Sequence, residues 1–160
     1  MDGSNPTRDY RGIHPRQSAR GVITLTGPTN NATLSLFNNS NAGSVLVVRA
    51  FVLNTTVAHL VLVARQQGAQ GTSGGTISYG VTGDGARAGL LYSLDTATAI
   101  TPDWLVPVNL NAPSFGVDFP FEYLQPGWSL TFQDTTAAET MRLGVIWEAI
   151  RVDQLDYLNW

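Results

Sequence analysis

Between Pro126 and Glu148 two runs of side chains alternate with a period of two, a pattern that suits strands half-buried in a sheet and no helix. Pro126-Gly127 marks a turn, because proline fixes one φ and glycine frees the next. Beyond it Leu130 and Phe132 point one way, and Ser129, Thr131 and Gln133 the other. A polar break from Asp134 to Thr140 precedes a second run. There Met141, Leu143, Val145 and Trp147 share one face, and Arg142, Gly144, Ile146 and Glu148 the opposite one. The two runs are expected to form a late antiparallel pair that closes a β-sandwich.

The same punctuation extends back through the chain. Val22 to Thr26 and Thr33 to Phe37 alternate on either side of Gly27-Pro28-Thr29-Asn30-Asn31, a loop of turn formers. Val45 to Leu53 and Val57 to Arg65 are the densest apolar runs, linked by Asn54-Thr55-Thr56 at hairpin length. Being apolar on nearly both faces, and free of glycine and proline, they are expected to be central strands. Gln66 to Gly75 reads as a polar, flexible loop. Thr76 to Val81 and Gly89 to Leu94 follow, with Gly83-Asp84-Gly85 as the turn between them. In Trp104 to Leu110, Pro107 points to an edge or a bulge. Phe115 to Tyr123 contains Pro120 and is irregular or a broken strand. Thr136 to Glu139 fits a capping box, with room for one helical turn at most. Roughly eight to ten short strands, with turn signals about every ten residues, predict an all-β fold, an antiparallel sandwich or jelly roll.

Residues 1–20 have no periodicity, hold Pro6 and Pro15, and carry Arg8, Arg11, Arg16 and Arg20. They read as an extended N-terminal arm, since they cannot bury enough apolar surface to fold alone. The arm packs against its own domain or against a partner. The sandwich is expected over 21–150, with a C-terminal tail over 151–160. Ile150 to Trp160 extends the last strand, forms a short helix, or acts as a second arm ending in an aromatic anchor.

At 160 residues the chain can bury roughly two-thirds of its unfolded surface as one domain. It contains no cysteine, so disulfides, thiolate chemistry and cysteine-based zinc sites are excluded. All nine basic residues are arginine. That removes Schiff-base chemistry and the phosphate-binding lysine of a P-loop or a kinase. A net charge of −3 offers no global attraction to nucleic acid, and Asp2 and Asp9 dilute the arginines of the arm. No apolar run reaches the ~18 residues of a membrane span, and the N-terminus is not signal-like. The expectation is a soluble protein with neither nucleic-acid nor membrane partners. Only 13% of residues are charged, which suits a surface covered by neighbours.

The candidate chemistry is thin. Gly71-Thr72-Ser73-Gly74-Gly75 matches the G-x-S-x-G nucleophile elbow, but that motif needs a strand-to-helix turn and a later histidine. Both histidines, His14 and His59, precede Ser73. His59 lies on the row Val57, His59, Val61, Val63 and reads as a core or interface residue. Asp134 and Glu139 flank one loop, and Asp153 and Asp156 lie near the C-terminus, yet no carboxylate pair has a substrate-like setting. One aspartate in Gly83-Asp84-Gly85 falls short of a calcium site. No metal, cofactor or catalytic residue is assigned. Asn31, Asn38 and Asn54 begin glycosylation sequons but read as turn asparagines. Trp147 sits on the inward row and is expected in the core. Trp128, after a turn, and Trp160, at the terminus, are the candidates for exposed contact with a subunit or a sugar.

Three pieces together resemble the small virion proteins of tailed bacteriophages. They are the loop Leu-Phe-Asn-Asn-Ser-Asn-Ala-Gly-Ser running into an apolar strand (Leu36 to Val48), the Pro-Gly-Trp-Ser-Leu turn and strand, and the final strand ending Val-Ile-Trp-Glu. The resemblance implies a β-sandwich or jelly-roll module that decorates a capsid or forms a head, neck or tail fibre, often as a trimer with extended arms. On that basis the expected function is a non-enzymatic capsid decoration protein in the virion. It would contact itself and the major capsid protein through Arg8, Arg11, Arg16, Arg20, Trp128 and Trp160. The alternative is a carbohydrate- or receptor-binding sandwich of a fibre.

Overall fold

In the computed structural model, which describes residues 17–40, 43–79, 88–108 and 114–151, the alternating runs become eleven strands. They are β1 (Gln17–Leu25), β2 (Asn31–Phe37), β3 (Ser44–Thr55), β4 (His59–Gln67), β5 (Thr72–Ser73), β6 (Thr76–Tyr79), β7 (Leu90–Thr96), β8 (Trp104–Val108), β9 (Ser114–Leu124), β10 (Trp128–Ala137) and β11 (Met141–Arg151). No helix occurs among the described residues. A five-stranded sheet in the order β6-β1-β11-β3-β9 packs on a six-stranded sheet in the order β5-β7-β2-β10-β4-β8. Every pairing is antiparallel.

The order is nested. β1 pairs with β11, β2 with β10, β3 with β9 and β4 with β8. The chain is thus a long antiparallel ribbon doubled back on itself and rolled up, so that β11 also meets β3 and β10 also meets β4. That is the arrangement of a jelly roll. The segment between β4 and β8 adds β6 beside β1 in one sheet, and β7 and β5 beside β2 in the other.

Among the described strands no two consecutive ones are hydrogen-bonded neighbours, which corrects several local expectations. The last two alternating runs are not a pair: β10 lies in the six-stranded sheet and β11 in the five-stranded one. The apolar runs β3 and β4 are likewise in different sheets, so Asn54-Thr55-Thr56 leads an arch between sheets and no hairpin. The physical reason is that turn residues dictate a reversal of direction and leave open which sheet the chain re-enters. Both strands are nevertheless internal, β3 between β11 and β9 and β4 between β10 and β8. Pro107 lies on β8, an edge strand as expected.

The boundaries shift as well. β1 begins at Gln17, so Arg20 belongs to the sheet and not to the arm. β11 continues to Arg151. Residues 1–16 and 152–160, and with them Arg8, Arg11, Arg16 and Trp160, lie outside the described residues, as does Gly83-Asp84-Gly85. Asp134 to Ala137 stays in β10, and the reversal comes at Ala138, in the left-handed region at φ 63°. Its N–H donates to the Asn30 carbonyl at 2.9 Å, where a capping box would have begun a helix.

The core lies between the sheets. Trp147, Phe51, Phe132, Met141 and Leu143 are among its largest fully buried side chains. Phe51 and Phe132 meet across the sandwich with ring centroids 5.1 Å apart. The Trp147 indole N–H donates to the Ala88 carbonyl at 3.0 Å, satisfying its polar atom in the core. Gly89 makes room for it: a Cβ there would lie 2.5 Å from the indole nitrogen, and its φ is +99°.

Arg49 accounts for the shift of the core-facing row from even to odd positions within Val45 to Leu53. The ladders from β3 to β11 and to β9 both pass from Val48 to Ala50, leaving Arg49 as a bulge. One extra residue reverses the alternation. Leu46 and Val48 face the core before it, Phe51 and Leu53 after it. The Arg49 guanidinium bonds the Glu148 carboxylate at 2.7 Å.

Candidate functional site

The two sheets differ on their outer faces. On the six-stranded sheet the polar rows of β2 and β10 (Thr33, Ser35, Ser129, Thr131 and Gln133) are buried. Two connections cross above them. Residues 68–71 run from β4 to β5, and residues 97–103 from β7 to β8; each starts and ends in this sheet, on opposite sides of β2 and β10. Ser129 Oγ donates to the Gly68 carbonyl at 2.5 Å and holds the first. Gln133 holds the second. Its Nε2 donates to the Thr98 carbonyl at 2.9 Å and to Thr33 Oγ1 at 3.0 Å, and its Oε1 accepts the Ile100 N–H at 2.8 Å. Side chains that alternation placed toward solvent are therefore interior.

On the five-stranded sheet Val47 and Ile150 are buried at one end of the outer face, and among the described residues no connection crosses its centre. Val22, Gly144 and Val52 lie side by side across β1, β11 and β3, with Arg20, Ile146 and Ala50 in the next row. Val22 is 37% exposed, Val52 39% and Ile146 49%. With Thr76 and Ser78 of β6 they line an apolar groove of about 400 Å³. Gly144, which has no side chain, forms its floor. Arg20, proposed from the sequence as a contact residue, stands at its margin opposite Ile146.

Trp128 lies elsewhere. It opens β10 at one end of the sandwich and is 38% exposed. There it borders a cleft of about 490 Å³ with Arg65, Asp103, Glu122, Tyr123, Leu124 and Gln125. Arg65 stands between two carboxylates, 3.7 Å from Asp103 and 3.9 Å from Glu122. Arg20 and Trp128 are not brought together. The outward apolar row was present in the sequence as Val22 and Ile146 in otherwise polar rows, but Arg65, Asp103 and Glu122 are scattered and only the fold unites them.

The remaining candidates take structural places. Ser73 sits on the short edge strand β5 opposite Tyr92, without the strand-to-helix turn that a nucleophile elbow needs. His59 begins β4 opposite Val108, its side chain outside the described portion. Asn38, from the Leu-Phe-Asn-Asn-Ser loop, is fully buried. Its Nδ2 donates to the Ser44 and Leu124 carbonyls at 2.9 Å and its Oδ1 accepts from Ser40. Asn39 accepts the Gly89 N–H at 2.8 Å. Among the described residues no three histidine, aspartate or glutamate side chains converge as metal ligands, and no helix is long and apolar enough to cross a membrane.

Comparison with known protein families, curated proteins and solved structures yields no match.

Proposed function

We propose that the protein is a non-enzymatic structural subunit of a virion, a capsid decoration protein. In this reading the exposed apolar groove on its five-stranded sheet meets a second copy of the chain, and its arm reaches a neighbour or the major capsid protein. The observation that carries the reading is the unequal treatment of the two outer faces. Two connections cover the polar rows of one sheet, whereas on the other, where Val47 and Ile150 are buried at one end, Val22, Val52 and Ile146 remain exposed among the described residues. Contiguous exposed apolar side chains on a sheet face mark an interaction surface. The jelly-roll order agrees by fold analogy alone, since the same architecture builds capsid and lectin domains.

Magnitude decides how large the contact must be. Covering what remains exposed of the three side chains gains roughly 1 kcal/mol each. Association costs about 4–15 kcal/mol in lost rigid-body freedom. The groove alone is too small, and an interface must extend over the sheet and include further contacts. Residues 1–16, with Arg8, Arg11 and Arg16, are the segment proposed to supply them, and Arg20 at the groove margin leads into them.

Light scattering on the wild type and on Ile146→Glu tests this. The wild type is expected as an oligomer, a trimer of the 17.2 kDa chain, and Ile146→Glu as a folded monomer with the same circular-dichroism spectrum, its melting temperature lower only by the lost assembly. A wild type that stays monomeric at every concentration contradicts the reading, as does an oligomer indifferent to the glutamate.

A further inference from the structure

We infer that the cleft at the end of the sandwich is a binding site for a neutral sugar residue, with Trp128 as its stacking platform. Strand alternation sets its geometry. Trp128, Leu130 and Phe132 follow one another on the inner face of β10, and Arg65 lies opposite Leu130 on β4. Glu122 lies opposite Val48 on β9, again on the inner side. Leu130 and Val48 are fully buried, whereas the Arg65 side chain is 54% exposed and Trp128 38%. The core therefore runs out at this end, and the sheets part around an open mouth floored by buried Leu124.

The backbone that carries the platform is held firmly. The Trp128 N–H donates to the Gln125 carbonyl at 3.1 Å, its carbonyl accepts the Asn38 N–H at 2.9 Å, and its backbone lies in register with Gln67. A side chain on a fixed backbone has only its own rotamers to lose when a ligand stacks on it. Beside the ring stand a donor and two acceptors that do not saturate one another. The guanidinium contacts at 3.7 and 3.9 Å are too long for hydrogen bonds. One Asp103 oxygen accepts the Arg65 backbone N–H at 2.9 Å and one Glu122 oxygen the Tyr123 backbone N–H at 3.0 Å, leaving the second oxygen of each carboxylate to a ligand. An indole face next to unsaturated donors and acceptors suits a pyranose ring, which offers a C–H face to the aromatic and hydroxyls to the charged groups.

Charge narrows the class. One arginine and two carboxylates leave a local charge of −1, which opposes a phosphate or an acidic sugar. A small cation would have to compete with Arg65 for the same carboxylates. A volume of about 490 Å³ accommodates one or two sugar residues.

The test is saturation-transfer NMR and calorimetry on the full chain with D-glucose, D-galactose, D-mannose and N-acetyl-D-glucosamine, with N-acetylneuraminic acid and choline as charged probes. At least one neutral sugar should bind. Trp128→Ala should weaken it by about tenfold or more, and Arg65→Gln should weaken it independently at an unchanged melting temperature. Should Trp128→Ala fail to fold, Trp128→His, which keeps a smaller ring, takes its place with the same expected direction. Binding by none of the neutral sugars, affinity indifferent to both positions, or preference for either charged probe overturns the assignment.

Discussion

Gln133 illustrates what a single residue can carry and what the sequence conceals. By period it is a polar side chain on the outer row of β10, one of a set that reads as solvated. In the structure it is wholly buried, with both amide donors and its acceptor engaged. Removing the amide leaves the Thr98 carbonyl and the Ile100 N–H without a buried partner. We expect Gln133→Ala to cost about 1–3 kcal/mol in urea unfolding, most of it from those stranded groups. A change inside ±0.5 kcal/mol, usual for a surface position, would show that residues 97–103 are not held there. Trp147 is the contrasting case. Its place in the core was legible, because a large apolar ring on the row of Met141, Leu143 and Val145 has nowhere else to go. Its partners Ala88 and Gly89 were not legible, since a distant backbone carbonyl leaves no trace in a pattern of side chains.

At the level of elements, strands were legible and connections were not. Period two locates β1, β2, β10 and β11, and Pro107 marks β8 as an edge. Turn composition then misleads, because an arch between sheets and a hairpin within one draw on the same residues. The loop after β1 shows what fixes an arch. The Thr29 and Asn30 N–H groups both donate to the Asp95 carboxylate of β7 at 2.8 Å. These two backbone bonds, Thr29 first, lower the Asp95 pKa below its ordinary 3.8. A folded-state pKa below the unfolded one gives stability that is present above the unfolded value and disappears as pH falls through the folded one. We therefore expect Asp95→Ala to lower the melting temperature at neutral pH, with the difference from wild type shrinking once pH drops below 3.8. A difference that persists unchanged into stronger acid would mean the carboxylate charge plays no part in holding the arch.

For the whole molecule, the fold class follows from the number of short alternating runs, while the nested order needs pairings between β1 and β11, or β2 and β10, that no local signal encodes. The end cleft has the same character: Arg65, Asp103 and the stretch from Glu122 to Trp128 come from three separate parts of the chain, and in the sequence only Trp128 stands out, as an aromatic after a turn. The unequal faces are a property of the assembled sheets and are the basis for reading the protein as a virion subunit. The chain contains no cysteine, so a single introduced thiol reports its own position. The decisive measurement is the rate of thiol labelling of Val52→Cys and Ser35→Cys as a function of protein concentration. Val52→Cys should label fast in dilute solution and become protected as concentration rises and the face meets its partner. Ser35→Cys, beneath the crossing connections, should stay protected throughout. Equal rates at the two positions, or a Val52→Cys rate that does not change with concentration, would contradict an assembly built on the bare face.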